Sequence, residues 1–528
     1  MKIILNIIRK NLSFIFFLLF FLLGFFIHNH YGIVFDEDVQ RSFGINNYNF
    51  IKNIFSNNPE KNELLNGYYG VGFELPVVFF EKFLKLKVYS EIYSFRHFSI
   101  FVTSFVGGIF FYKLLKKYLD SKYLALLGVS FLFLSPRIFA ESFYNSKDII
   151  FMFSFIICFY FGCRFLEKPT ILNSLFFSIF TAWSLSIRIA AIIIPLILIY
   201  FIIIKYLRKD YSVKIFKSLF FFVIFLIIFS ILFWPHLWVN PISKVINTFF
   251  IFKNYDFGIN NFYLGEYNNA KVVDWHYIPV WMTVTSPVFI LIFFYSGFFR
   301  IILRLVKRIL KIEGENGPDL WRGKKELFNL ICLAFVVLPV LLVIFFNSTL
   351  YTGWRHLYFI YPFVVSISIY EIKYLFQYFK NFKIILKIFI FFNIIFIIFW
   401  MATNHPLQGL YFNSLAGAKP QLNFDVDYWG TSNKSVIKHI LEKDKGNKIT
   451  VSNVSDTNLI INIKALNAVD RKRLRYVSVE DKPLYLVDNN YYFSTLRRMK
   501  QKKILNNYNV FYQLYVDNTL VSTVYKIK

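Results

Sequence analysis

Long apolar runs dominate the chain and constrain its fold more than any other feature. The 528 residues are 57% hydrophobic, include 70 Phe and have a mean hydropathy of +0.50. A soluble protein of this length cannot hide that much apolar surface, so the sequence predicts a polytopic α-helical membrane protein. Spans of about 20 apolar residues, about eleven in all, are predicted near 12–29, 95–112, 123–139, 149–166, 171–186, 189–204, 216–234, 279–299, 328–346, 357–372 and 384–402.

Basic residues gather in short loops on one side of these spans. The net charge of +28 would otherwise suggest a nucleic-acid partner, but basic residues in alternate short loops follow the positive-inside rule, so no nucleic acid is expected. The pattern places the N-terminus inside, and an odd number of spans then places the C-terminus outside. No small-residue cleavage site follows the first apolar run, which is therefore predicted to be a retained anchor.

Two loops between spans are predicted to lie on the outer face of the cytoplasmic membrane. The first, 30–92, contains a half-apolar stretch at 70–85. Glu74 and Pro76 argue against a span there and favour a helix that lies in the membrane interface. The second loop, 235–278, is rich in Trp, Tyr and Asn.

The C-terminal segment 403–528 has a different pattern. Helical periodicity fades, and short alternating runs appear at 448–451 and 483–487. Such runs are typical of strands, so we expect a small α/β domain outside the membrane. The chain then divides into a membrane domain, 1–402, which includes both outer loops, and an extracytoplasmic domain, 403–528.

Three consecutive acids, Asp36, Glu37 and Asp38, follow directly after the first span. Acids are costly at a membrane boundary, and a carboxylate there suits a general base that takes a proton from an acceptor hydroxyl. The alternative is the start of a solvated loop that only helps to set the topology.

A polar turn separates the third and fourth spans and carries Arg137, Glu141, Lys147 and Asp148. Two acids and two bases so close together suit the wall of a site for a charged substrate, although an ordinary capped turn with snorkelling side chains explains them too.

Arg188 lies between two apolar runs, where it is costly unless it meets an anion or a water-filled cavity. The alternative to a functional role is that Arg188 lies at the tip of a hairpin and reaches the membrane interface.

Arg355 and His356 lie between the ninth and tenth spans, within 351–358. Arg355 is a planar, permanently charged fork just before a helix, which suits a phosphate ligand, and His356 adds a donor if it is protonated. The alternative is an aromatic belt with one snorkelling arginine. The aromatic stretch 234–238, with His236, is interpreted mainly as belt.

Several signatures are absent from the sequence. It has no Walker-type glycine loop, no HExxH zinc motif and no GxSxG elbow, which argues against a nucleotide-driven pump. Cys158, Cys163 and Cys332 lie in or near apolar spans and suggest neither a disulfide framework nor a metal site.

Taken together, the motifs resemble the GT-C superfamily of integral-membrane glycosyltransferases. The likeness is to family 39, the protein O-mannosyltransferase type, and to the related aminoarabinose transferase that modifies lipid A. It covers residues 1 to about 430, and the order of the motifs is more specific than any one of them. The matching pieces are Asp36-Glu37 after the first span, Pro136-Arg137 through Asp148 before the fourth, Trp354-Arg355-His356 before the tenth, and Asn404 to Asn413 leading into Asp427 to Gly430.

The resemblance implies an inverting transfer of one sugar, mannose or similar, from a polyprenyl phosphate to an acceptor hydroxyl on a protein, lipid or envelope glycan. Asp36 would be the base, although a third acid in the run leaves its assignment open by one or two positions, and Glu37 would orient or tune it. A fixed cation at the departing phosphate stabilises the transition state more than the ground state, because charge develops there as the bond breaks. The implied phosphate ligands are Arg355, His356, Arg137, Lys147 and Arg188, and the implied wall residues are Asp148, Glu141 and Asp38. No cofactor is implied as required, and the resemblance leaves a divalent metal open.

Two other functions fit part of the pattern. A flippase or transporter of lipid-linked sugars would also need polar residues facing a cavity, but paired halves and broken helices near the midplane would be expected. No such halves are found in the sequence, and the candidate charges gather at the outer face. An outer-face sensor or assembly protein would instead use 403–528, and Asp36 would be dispensable.

Overall fold

The computed structural model describes residues 2–56, 64, 66–253, 258–311 and 320–528. Residues 57–63, 65 and 254–257, which belong to the two predicted outer loops, lie outside the described residues. The helices of the membrane part are α1 (Lys2–Ile27), α2 (Phe35–Phe55), α3 (Glu74–Phe83), α4 (Tyr89–Leu119), α5 (Lys122–Phe133), α6 (Pro136–Tyr144), α7 (Asp148–Glu167), α8 (Ile171–Leu185), α9 (Ile193–Leu207), α10 (Lys214–Phe233), α11 (Pro241–Lys253), α12 (Tyr277–Thr285), α13 (Val288–Ile309), α14 (Gly323–Phe345), α15 (Tyr361–Tyr378) and α16 (Lys383–Thr403), with a hairpin of β1 (Asn260–Tyr263) and β2 (Glu266–Asn269) between α11 and α12.

The predicted class is confirmed, since the chain is a polytopic helical membrane protein. Within the described ranges, nine helical segments are long and apolar enough to cross a membrane, and the bent pair α5–α6 gives a tenth. The predicted number of about eleven is therefore approximate. The predicted span 171–186 corresponds to α8, an apolar helix that is shorter than those segments at 15 residues.

Prolines explain two boundaries that the sequence placed wrongly. The predicted span 123–139 is not one helix, because α5 and α6 meet at Ser135-Pro136 with a bend of 70°. The predicted span 279–299 is likewise divided: α12 ends before Ser286-Pro287, and the long helix begins after it. A proline removes a backbone donor and disfavours helix at the residue before it, so each helix ends there.

Helix α7 lies at the centre of the bundle. In the most apolar part of α7, 89% of the residues are buried, against 11% in the corresponding part of α1. Phe155 and Phe159 of α7 pack edge-on against Phe335 of α14 and Phe363 of α15. The N-terminus of this central helix is Asp148, so a predicted site residue stands at the middle of one end of the bundle.

Helices α2 and α3 lie beside the start of α4 at that same end. Helix α3 has 10 residues, too few to span, as predicted for the stretch 70–85. It buries Val77 and Val78 and exposes Phe79, Phe80 and Phe83. This two-faced surface suits the predicted interfacial placement, which stays a prediction.

The C-terminal part forms the predicted α/β domain. Its elements are α17 (Asn433–Lys443), β3 (Ile449–Asn453), α18 (Leu459–Lys464), α19 (Ala468–Arg473), β4 (Leu474–Tyr476), β5 (Tyr485–Asp488), α20 (Thr495–Ile504), β6 (Tyr508–Val516) and β7 (Thr519–Ile527). The strands form a five-stranded sheet in the order β4-β3-β5-β7-β6, in which β3 runs parallel to β4 and β5 while β7 is antiparallel to its neighbours. The domain's own core includes Val436, Ile440, Val451 and Val524.

The segment between α16 and this sheet packs on the membrane part instead. Leu410, Phe412 and Trp429 belong to the core formed by the membrane helices. The backbone N–H of Phe35, at the start of α2, donates to the carbonyl of Trp429 at 3.1 Å. The segment 404–430 is thus placed beside the acids that follow the first span, and the predicted division at residue 402 stays a prediction.

Candidate active site

Five charged side chains that are far apart in the sequence converge at one end of the bundle. Arg355 is central: its Nη1 donates to Oδ2 of Asp36 at 2.7 Å and to Oδ2 of Asp148 at 3.1 Å. Arg188 donates to the other oxygen of Asp148. Lys147 completes the group beside Asp148. We call these five residues the charge cluster.

The loop before α15 holds Arg355 in place. Thr352 has a positive φ of 54° and Gly353 one of 76°, which turns the chain sharply before the helix. The Oγ1 of Thr352 accepts a hydrogen bond from Arg355 Nε at 2.6 Å. The rings of Tyr351 and Trp429 each lie 5.1 Å from the guanidinium carbon. The arginine is therefore oriented by a hydroxyl and two aromatic faces, and only 5% of its side chain is exposed.

Asp36 lies in the first turn of α2, a helix with no side-chain cap from its N-cap residue Val34. Glu37 takes that role, because its Oε1 accepts from the backbone N–H of Val34 at 2.9 Å. Its Oε2 lies 3.0 Å from His97 Nε2 on α4, which fixes the start of the helix against the bundle. Asp36 is thereby aimed at Arg355 and keeps 32% of its side chain exposed.

Asn145 organises the start of α7. Its Oδ1 accepts from the backbone N–H groups of Lys147 at 3.1 Å and Asp148 at 2.7 Å, so it caps the helix. Asp148 is left free to face Arg355 and Arg188, and its side chain is fully buried. A buried carboxylate between two arginines holds both cations at the same point.

Lys147 is half-buried, and its Nζ lies 4.3 Å above the ring of Tyr69. Burial and the neighbouring positive charge of Arg188 together lower the pKa of this lysine to about 7. A group with this pKa gains or loses its charge near neutral pH. An anion that arrives here would favour the protonated form.

The charge cluster favours an anionic ligand. When Lys147 is protonated, three cations face two carboxylates, an excess of one positive charge. The buried Nε of Arg188 and Nδ1 of His356 have no hydrogen-bond partner within the part of the chain that the structure describes. Buried polar groups are usually satisfied, so atoms left over beside an excess positive charge suit oxygens of a bound anion.

Two of the predicted acids, Glu37 and Asp38, make structural contacts at this end of the bundle. Glu37 is almost fully buried and is engaged by Val34 and His97, as described above. Asp38 accepts a hydrogen bond from the hydroxyl of Tyr93 at 2.8 Å, on the side away from the cluster. The three consecutive acids therefore point in three directions, and Asp36 alone of the three reaches Arg355.

Glu141 and Arg137 form a second group behind the cluster. Glu141 accepts from the hydroxyl of Tyr358 and from Asn145 Nδ2, both at 2.7 Å, so it supports the residue that caps α7. Arg137 donates to the carbonyl of Tyr411 at 3.0 Å and lies 4.7 Å over the ring of Phe412. Their predicted roles as wall and phosphate ligand stay predictions, and these contacts fit a supporting layer better.

Some contacts to the cluster were not predicted. Trp429 was quoted only as part of a motif, and Thr352, Tyr69 and His97 were not proposed as site residues. Trp429, Tyr69 and His97 each contact a charged group that is far away in the sequence, so no local pattern reveals these contacts. Thr352 is local to Arg355, and both lie in the stretch 351–358 that the sequence analysis singled out.

The charged side chains of the described residues do not form a metal site. Among residues 2–56, 64, 66–253, 258–311 and 320–528, no group of three or more His, Cys, Asp or Glu side chains lies close enough to hold an ion. Asp36 and Asp148 meet through a guanidinium. The expectation that no metal is required stays a prediction.

Comparison with known proteins finds little at the sequence level. No protein-family model and no curated protein matches the chain. The crystal structure of ArnT from Cupriavidus metallidurans bound to undecaprenyl phosphate is similar to it, with a TM-score of 0.47 and 10% sequence identity over 97% of this chain and 98% of that chain. The case for a function rests on the side chains of the charge cluster.

Proposed function

We propose that the protein is an inverting glycosyltransferase that moves one sugar from a polyprenyl-phosphate donor to an acceptor hydroxyl. The observation that carries the proposal is the partly exposed carboxylate of Asp36 beside a buried arginine, with two further cations and one carboxylate around them. The membrane-spanning helices supply the lipid surface that such a donor needs.

The cations suit the phosphate of the donor. The phosphodiester of the bound donor carries one negative charge, which matches the excess positive charge of the cluster. The phosphate monoester that departs gains more negative charge. Arg355 presents a planar fork, and Arg188 has an unused Nε. Because the phosphate gains charge as the bond breaks, fixed cations stabilise the transition state more than the bound donor.

The carboxylate suits the acceptor. In the proposed step the acceptor oxygen forms a bond to the anomeric carbon while Asp36 takes the hydroxyl proton. The bond between that carbon and the phosphate oxygen breaks, and the phosphate leaves with the electron pair. Attack opposite the leaving group inverts the anomeric centre.

The contact between Asp36 and Arg355 represents a resting arrangement in this proposal. The base and the departing phosphate must lie on opposite sides of the sugar, but the two side chains are 2.7 Å apart. We infer that the donor phosphate draws Arg355 away from Asp36 and frees the carboxylate for the acceptor proton. Asp148 and Thr352 would keep the arginine in the site during this shift.

The finer assignments follow the resemblance to family 39 and the charge distribution of the loops. The sugar is proposed to be mannose or a similar hexose, and the acceptor a hydroxyl on a protein, lipid or envelope glycan. The proposed site faces outward from the cytoplasmic membrane, on the same side as the C-terminal domain.

The test uses purified protein in nanodiscs with a panel of polyprenyl-phosphate sugars, mannose first. Transfer or donor hydrolysis is followed for the wild type, Asp36→Asn and Arg355→Ala. We expect Asp36→Asn to lose about three orders of magnitude in turnover while it still binds donor. Arg355→Ala should bind donor weakly.

Asp38→Asn is the matched control, because it removes the same charge two residues away on the same helix and outside the cluster. It should retain most of the activity. Full activity in Asp36→Asn would place the base elsewhere. If no donor is consumed but lipid-linked sugar crosses a vesicle bilayer, the flippase function takes the place of the enzyme.

A further inference from the structure

A second charged site lies at the opposite end of the helical bundle. There the C-terminus of α4, the start of α14, the end of α15 and the start of α16 surround an open cleft of about 420 Å³. Lys325, Lys373 and Lys383 line it together with a single acid, Asp120. This is the end of the bundle that the loop charges predict to face the cytoplasm.

The three lysines come from three different helices, so the cleft is a product of the fold. Lys325 pairs with Asp120, and Lys373 Nζ donates to the carbonyl of Leu119 at the end of α4, at 2.7 Å. Lys383 Nζ lies 6.0 Å from the centre of the Phe376 ring. One acid against three lysines leaves an excess of two positive charges around an open space.

One part of the cleft wall and its rim are apolar. Leu124 and Phe376 line its wall. Tyr378, Phe379 and Phe382, which follow directly in the chain, expose half or more of their side chains. Exposed aromatic side chains at the end of membrane helices are typical of the zone where lipid headgroups meet acyl chains.

We propose that this cleft binds the headgroup of an anionic phospholipid. The lysines would contact the phosphate, and the apolar wall and aromatic rim would contact the first part of the acyl chains. Basic pockets between membrane helices on the cytoplasmic side suit such headgroups. A free phosphate would use the lysines but not the apolar surface, so the intact lipid is the better fit. This inference does not depend on the glycosyltransferase proposal, because the two sites lie at opposite ends of the bundle.

The test is native mass spectrometry of the full chain released from nanodiscs with equal amounts of phosphatidylglycerol and phosphatidylcholine. The wild type should retain phosphatidylglycerol in preference. The triple variant Lys325→Gln, Lys373→Gln, Lys383→Gln should lose that preference by about tenfold or more. Equal retention of both lipids by the wild type would overturn the proposal.

The matched control is the triple variant Lys116→Gln, Lys214→Gln, Lys217→Gln. These lysines are exposed at the same end of the bundle but do not line the cleft. The control removes the same charge and should keep the lipid preference. An equal loss in both triple variants would mean that the whole basic surface attracts the lipid, which contradicts a specific site.

Two further arms complete the design. Glycerol 3-phosphate is added at increasing concentration, and displacement of the lipid at concentrations that match the lipid itself would identify a soluble phosphate as the ligand and overturn the proposal. If the triple variant does not stay monodisperse, Lys383→Gln alone is used, because this exposed lysine makes no ion pair among the described residues. It should reduce lipid retention about threefold, and an unchanged retention would contradict the proposal.

Discussion

Two sets of charged residues lie side by side at the same end of this protein, and they are built differently. In the charge cluster, Arg355, Arg188 and Lys147 face Asp36 and Asp148. In the neighbouring set, which we call the helix clamp, each acid has its own base. The clamp pairs are Glu37–His97, Glu74–Arg96 and Glu81–Arg41, and they join α2, α3 and α4 to one another.

The difference teaches how to tell a binding site from a structural support. The clamp pairs each of its three acids with a base, so it has no excess of positive charge to offer an anion. Among the described residues, two nitrogens of Arg96 also have no hydrogen-bond partner, but its side chain is fully buried, whereas Arg188 keeps 21% of its side chain exposed. An excess of positive charge with access to the outside suits a ligand. A balanced and enclosed set of pairs suits stability.

The largest expected effect on stability comes from the clamp. Arg96→Met leaves Glu74 as an uncompensated buried charge and should lower the free energy of unfolding by about 3–5 kcal/mol. Thermal unfolding in detergent measures this change. The double variant Arg96→Met, Glu74→Leu removes both charges and should recover most of the loss. If Arg96→Met is as stable as the wild type, the clamp does not hold α3.

A smaller effect, on binding instead of stability, is expected in the charge cluster. Arg355→Lys keeps the charge but loses the planar fork, and should weaken donor binding by roughly 10- to 100-fold. The control is Arg41→Lys, the same change at a bidentate pair in the clamp, which should leave donor affinity unchanged. Donor titration with both proteins measures the difference, and equal losses would erase the distinction between the two sets.

The sequence predicted the parts of this arrangement that depend on composition and local pattern. The apolar runs predicted the helical membrane class, and the alternating runs predicted the C-terminal α/β domain. Asp36, Lys147, Asp148, Arg188 and Arg355 were all named as candidates, because charges are costly beside apolar runs. The fold brings these five together.

The sequence could not separate neighbours within one run. Successive residues of a helix point about 100° apart, so the phase of α2 decides that Asp36 faces Arg355, Glu37 faces His97 and Asp38 faces Tyr93. That phase is set by where the helix begins, and Val34 gives no cap signal in the sequence. The contact of Trp429 with Arg355 could not be predicted from the local sequence either, because it depends on how residues 404–430 pack on the helical bundle.

A third prediction concerns pH and sharpens the role of Lys147 in the cluster. Its pKa is lowered to about 7 by burial and by Arg188, so the lysine is cationic below neutral pH and loses its charge as the pH rises. Donor phosphate should therefore bind more tightly at pH 6 than at pH 8, by up to about tenfold. Donor affinity is measured across this range.

Two variants test whether Lys147 causes this pH dependence. Lys147→Met should flatten the part of the pH dependence that the lysine causes. Lys147→Arg stays charged and should keep tight binding at pH 8. An unchanged pH profile in both variants would assign the titration to another group.

The smallest effect is expected at Asp38, the acid of the run that forms no ion pair within the described residues. Tyr93→Phe removes the hydroxyl that donates to Asp38 at 2.8 Å and keeps the ring that packs in the core. The free energy of unfolding should fall by about 1 kcal/mol, because one hydrogen bond to a charged but solvent-reached group is lost. Donor affinity and turnover should stay within about twofold of the wild type. Thermal unfolding and the transfer assay are measured on the same preparation, and a large loss of turnover with little loss of stability would mean that Asp38 belongs to the active site together with Asp36.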